Sequence, residues 1–92
     1  MSQTVTECLA AATDSVTLIT DINTSGSSSA HVAAGATQAE INELVQRNVD
    51  HLSAILGYTA TDSTPEIAGA ASNLKTTHVA AVSTGNAYIA AN

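Results

Sequence analysis

Three histidines, eight carboxylates and one cysteine are the groups of this 92-residue chain whose types could do chemistry. His31, His51 and His78 lie too far apart for a two-histidine metal motif on one helix, so their spacing asks for no zinc site. Asp50 and His51 adjoin, but neighbouring residues of a helix point apart. His78 falls on an apolar stripe, where an isolated histidine is more often a packed, hydrogen-bonded residue than a ligand. Among the carboxylates, Glu7, Glu40 and Glu66 each stand three residues after a Thr or Ser and suit the positive end of a helix. Glu43, Asp14, Asp21, Asp50 and Asp62 build neither a calcium loop nor a pair that a chain of this size could hold across a cleft. Cys8 lacks a neighbouring base and reads as a small buried hydrophobe. Ser25-Gly26-Ser27 and Ala34-Gly35-Ala36 lack the Lys and the strand of a phosphate loop. The expectation is therefore no enzyme, no catalytic residue, no cofactor, no metal and no small-molecule substrate.

Charge narrows the partners further. The formal net charge is −6 and the only fixed cations are Arg47 and Lys75. Nucleic acid needs Lys and Arg to displace counterions from phosphates, and an anionic membrane surface needs them to dock, so neither is an expected partner. Met1-Ser2-Gln3-Thr4 is not the start of a secretory signal, and no apolar run reaches the length of a membrane span. Synthesis in a cytoplasm is expected. A single cysteine leaves no internal disulfide. About half of the residues are Ala, Ser, Thr or Gly, well above ordinary usage. Phe and Trp are absent and Tyr58 and Tyr88 are the aromatics. Ala buries little area, so the core is thin and neighbouring chains are a natural source of added stability.

The positioning elements are helical by pattern. Val5, Cys8, Leu9, Ala12, Val16, Ile19 and Ile22 recur at helix spacing, with Thr4 and Glu7 as a capping box. Val16-Thr17-Leu18-Ile19-Thr20 would suit a strand as well; the helical reading is preferred. Residues 23–36, opening on Asn23-Thr24-Ser25-Gly26-Ser27-Ser28-Ser29, read as a flexible linker. The second helix spans about Gln38 to Leu56. It opens on a Thr37/Glu40 box, buries Ile41, Leu44, Val45, Asn48, Val49, Leu52, Ile55 and Leu56, and stops at Gly57. The third starts at Pro65 with a Ser63/Glu66 box. Its stripe is Ile67, Ala71, Leu74, His78, Ala81, Val82, Gly85 and Ile89, ending at Ala91 or breaking near Ser83-Thr84-Gly85-Asn86. Gly85 on that stripe marks either such a break or the close approach of another helix. The fold expected is mainly α: a helical hairpin over 37–92, or a small three-helix arrangement, with 1–22 as an N-terminal helical segment.

The centre of the second helix, Arg47-Asn48-Val49-Asp50-His51-Leu52, resembles small proteins encoded among the structural genes of tailed bacteriophages. The end, Ala80-Ala81-Val82-Ser83-Thr84-Gly85-Asn86-Ala87-Tyr88-Ile89-Ala90-Ala91, resembles the close of the same proteins. The likeness covers the last half of the chain. It implies a virion component, either a capsid decoration or a part of the tail or fibre. Such a component would pack, in a larger assembly, against other virion proteins and copies of itself. The alternatives are a small acidic adaptor or inhibitor of a host protein, and a virion assembly chaperone. On this reading Arg47, Asn48, His51, Gly85 and Tyr88 are the partner-binding candidates. Arg47 offers a bidentate fork to a carboxylate. Asn48, inside an apolar stripe, either fixes helix register or is bonded within its own chain.

Overall fold

The computed structural model describes the backbone of residues 5–61 and 65–92, and the side chains of Glu7 and of residues 9–56 and 76–92. Among these, three helices carry the fold: α1 (Val5–Ser25), α2 (Gln38–Thr61) and α3 (Pro65–Ala91), with a short 3-10 turn at Gly26–Ser28. Each helix packs on both others. At 1.5 Å per residue, the 27 residues of α3 measure about 40 Å. The longest dimension of the molecule is 43 Å, so the helices lie along one axis. Gln38 at the start of α2 bonds Tyr88 at the end of α3, which makes that pair antiparallel. The mainly helical, three-helix expectation is the observed fold.

The ambiguous stretch Val16–Thr20 is helical, and its threonines explain how. Thr13, Thr17 and Thr24 each donate Oγ1–H to the carbonyl four residues back, at 3.0, 3.0 and 3.1 Å. A hydroxyl satisfied this way no longer competes with the helical backbone. Buried Ile19 and Ile22 then fix the helix through packing, which overrides their strand preference.

α1 runs three residues beyond the expected boundary at Ile22 and stops at Gly26, whose φ of +56° is the left-handed conformation that ends helices. The rest of the segment expected as a flexible linker follows a defined path. Ser29 is buried and donates Oγ–H to Asp21 on α1, while its Oγ accepts from the His31 amide at 3.1 Å. The Val32 amide bonds the Ser29 carbonyl at 3.1 Å, and the Ala36 amide bonds the Ala33 carbonyl at 3.1 Å. In that second turn Gly35 has φ +80°, as position i+2 of a type II turn requires. Val32 and Ala36 pack against the core.

Thr37 and Glu40 form the expected box: the Thr37 amide donates to Glu40 Oε1 at 2.9 Å and the Glu40 amide to Thr37 Oγ1 at 3.1 Å. These bonds hold the Glu40 carboxyl below its ordinary range. The expected stop at Gly57 is not one. α2 continues through Gly57 to Thr61, since glycine permits a left-handed turn without demanding it. α3 is unbroken to Ala91 and ends on Asn92, which donates its side-chain amide to the Tyr88 carbonyl at 2.9 Å. The Thr4/Glu7 and Ser63/Glu66 boxes, the Gly57–Thr64 connection as a whole, and the side chains of Cys8 and Tyr58 lie outside the described residues.

The buried positions follow a seven-residue repeat. On α1 they are Ala12, Ser15, Ile19 and Ile22; on α3 they are His78, Ala81, Gly85 and Tyr88. Along α2, Val45 and Leu52 hold one heptad site, and Ile41, half-buried Asn48 and Ile55 hold the other, with buried Val49 beside them. Spacings of three and four place one seam of each helix against its neighbours, as in coiled coils.

Candidate functional site

Two features stand out against this apolar core. The first is a polar layer. Ser15 of α1, at 3% exposure, holds the heptad site that Ile22 fills one repeat later. Its Oγ lies 2.9 Å from Asn48 Oδ1 and 2.9 Å from His51 Nδ1, both on α2. The Asn48 amide also donates to the Leu44 carbonyl one turn back, at 2.9 Å. Asn48 is thus bonded within its own chain, and with Ser15 it fixes the register of α1 against α2: a slip of either helix would face a hydroxyl or an amide with aliphatic side chains. Sequence reasoning passed over Ser15. The signal was present in its spacing, three residues after Ala12 and four before Ile19.

The second feature is the outer side of α3. From Thr76 to Asn92 the sequence has no Asp, Glu, Lys or Arg. Thr76, Ala80, Ser83, Ala87 and Ala90 are all exposed and are spaced four, three, four and three apart, a second heptad seam facing outward. Val79 beside it is 51% exposed. The Thr84 hydroxyl is already bonded to the Ala80 carbonyl at 3.0 Å, so covering it would leave no donor of that side chain unpaired. Among the described residues the exposed charges Glu7, Asp14, Glu40, Glu43, Arg47 and Asp50 sit on α1 and α2.

The five candidate residues divide between inside and outside. Gly85 faces the protein's own core. A Cβ built there would lie 2.4 Å from Val49 Cγ2, 3.3 Å from Val45 Cγ1 and 3.5 Å from Ile19 Cγ2. Tyr88 is 9% exposed, with its hydroxyl accepting from Gln38 Nε2 at 3.0 Å. Both take part in the internal packing of α3. Asn48 and His51 come together at the polar layer, and His51 is half-buried. Arg47 is exposed and borders a shallow depression of about 210 Å³ with His31, Glu40 and Leu44. That volume is below the few hundred Å³ of a small-molecule pocket. No group of three or more metal-binding side chains occurs among the described residues. No described helix is long and apolar enough to cross a membrane.

His78 is 1% exposed, and its Nδ1 has no hydrogen-bond partner. It is packed, as the stripe predicts, but that nitrogen is not hydrogen-bonded. Burial pushes the imidazole below its ordinary value of 6.5. The unfolded chain therefore binds the proton first, and stability is lost as pH falls from above the ordinary value through the depressed one. We expect the urea midpoint to fall between about pH 8 and about pH 5, before most carboxylates titrate. His78→Leu should flatten that part of the profile. A flat profile in the parent protein would mean that the ring is charged or solvated when folded.

Comparison with family models, with curated proteins and with solved structures returns no match for this chain.

Proposed function

We propose that this chain is a non-enzymatic structural protein of a phage particle, a capsid decoration or a tail- or fibre-associated component, acting through helix packing. The observation that carries the reading is the uncharged outer seam of α3. A solvated helix normally displays charges on its outer side, and a protein of net charge −6 has acidic residues to spare. Here no charged residue follows Lys75, and Thr76, Ala80, Ser83, Ala87 and Ala90 leave a smooth strip on which a neighbouring helix can pack closely. The likeness of Arg47-Asn48-Val49-Asp50-His51-Leu52 and of the C-terminal end to proteins of tailed-phage structural genes supplies the setting.

Quantitative mass spectrometry of purified particles from cells producing this chain tests the proposal. A fixed, symmetric copy number per particle is expected. Presence in the lysate but absence from particles would reject a virion role. Such a result would favour an assembly chaperone, or an adaptor acting on a host protein.

A further inference from the structure

The polar layer has a direction, and counting its protons assigns the state of His51. The Leu44 carbonyl can only accept, so the Asn48 atom 2.9 Å from it is the amide nitrogen, and Asn48 Oδ1 faces Ser15. That oxygen can also only accept, so the single proton of the Ser15 hydroxyl goes to it. Ser15 Oγ then has lone pairs and no proton left for His51 Nδ1, 2.9 Å away. The ring nitrogen must be the donor. The chain runs one way: His51 Nδ1–H to Ser15, Ser15 to Asn48, Asn48 to the Leu44 carbonyl. The opposite order would set two acceptors against each other inside a layer where Ser15 is 3% exposed, an arrangement that burial makes costly.

We propose that Ser15, Asn48 and the Leu44 carbonyl hold neutral His51 as the Nδ1–H tautomer, which leaves Nε2 as the accessible hydrogen-bond acceptor of the ring. His51 is half-buried, and the hydrogen bond described for its ring is the one at Nδ1. A neutral imidazole has one donor and one acceptor nitrogen, and the bond made by the first decides which is free. Ser15 and His51 have the residue types of a nucleophile and its base, but the direction of the chain removes that role: Nδ1 carries a proton and cannot take one. Both are positioning residues here.

Long-range ¹H–¹⁵N NMR of the ring, on the full chain in alkaline solution where the imidazole is neutral, reads the tautomer directly. His51 should show a protonated Nδ1 and a bare Nε2. Ser15→Ala removes the acceptor, and Asn48→Ala frees the Ser15 proton for Nδ1; both should convert the ring to the Nε2–H form. Ser15→Thr keeps the hydroxyl between Asn48 and His51 and should preserve the parent pattern. Diethyl pyrocarbonate, which acylates an accessible unprotonated ring nitrogen, should label His51 at Nε2 well ahead of His78. A parent protein with Nε2–H, which needs no variant to detect, would overturn the assignment. Labelling of His51 no faster than that of His78 would overturn the accessible acceptor.

Discussion

Gly85→Val is expected to lower the stability of the folded chain by about 3 kcal/mol, and Gly85→Ala by about 1–2 kcal/mol. The cost begins at the first added atom, since a Cβ would lie 2.4 Å from Val49 Cγ2. Val49 has little freedom to withdraw, because a β-branched side chain in a helix holds one rotamer. The neighbours at 3.3 and 3.5 Å, on Val45 and Ile19, close the other escapes. Against this stands the gain of about 1 kcal/mol from replacing Gly with Ala inside a helix, which offsets part of the clash for Ala. Valine recovers less of that gain and adds two methyl groups. A domain of this size has of the order of 0.05–0.15 kcal/mol of stability per residue, so such a loss is a large share of the whole. The identity of the clashing atom supplies a second measurement. Val49→Ala deletes it, so Gly85→Ala in a Val49→Ala background should cost less than in the parent, with a coupling of about 0.5–3 kcal/mol in a double-mutant cycle. Urea unfolding of the four proteins gives the answer. Additive effects would mean that α3 does not approach α2 at this level.

Gly85 also marks how far the sequence could be read. Periodicity and caps located three helices because each stripe repeats a local rule several times over. The Thr37/Glu40 box was legible to the atom, since a capping box needs only four consecutive residues. Gly85 permitted two readings, a break or a close approach, and only the third dimension separated them: the atoms that decide it belong to residues 36, 40 and 66 positions away. Gly57 misled for a related reason, as nothing local tells a glycine that ends a helix from one the helix passes through.

The side-chain bonds were harder still. The Ser29 hydroxyl on Asp21 and the Ser15 hydroxyl on Asn48 and His51 lie in serine- and threonine-rich stretches, where composition marks every hydroxyl alike. Asn48 was visible because an amide is rare on an apolar stripe; its partner was hidden because a serine beside alanines is ordinary. The candidate set drawn from the sequence accordingly mixed two kinds of residue. Asn48, Gly85 and Tyr88 build the bundle, while Arg47 and the outer edge of His51 are left to meet something else. The idea that the apolar stripes need a neighbour to cover them also changes. Ile19, Ile22, Ile41, Val45, Val49, Leu52 and Ile55 bury one another within one chain. Among the described residues, the outer side of α3 from Thr76 onward is exposed and uncharged.

That side makes the sharpest expectation about assembly. Ala87 is exposed on the outer seam, so Ala87→Glu should leave the isolated chain within about 0.5 kcal/mol of the parent. In an interface the same carboxylate would be desolvated without a partner, or set against acidic neighbours, which costs several kcal/mol. A cost of about 2.7 kcal/mol is a hundredfold in affinity, so incorporation into particles, or self-association of the purified chain followed by sedimentation, should drop at least that far. The control carries the same charge on another helix. Ser53 is exposed on α2, and Ser53→Glu changes the net charge identically while leaving the α3 seam untouched. Loss in both variants would indicate general repulsion from an already acidic molecule. Loss in Ala87→Glu alone, with both chains equally folded, would assign the contact to α3, and full assembly of Ala87→Glu would remove the seam as an interface. The comparison is decisive because the charge pattern gives it one answer for each site: if charges are kept off α3 from Thr76 onward because a neighbour lies there, a single misplaced carboxylate has to be felt on that stretch and tolerated on α2.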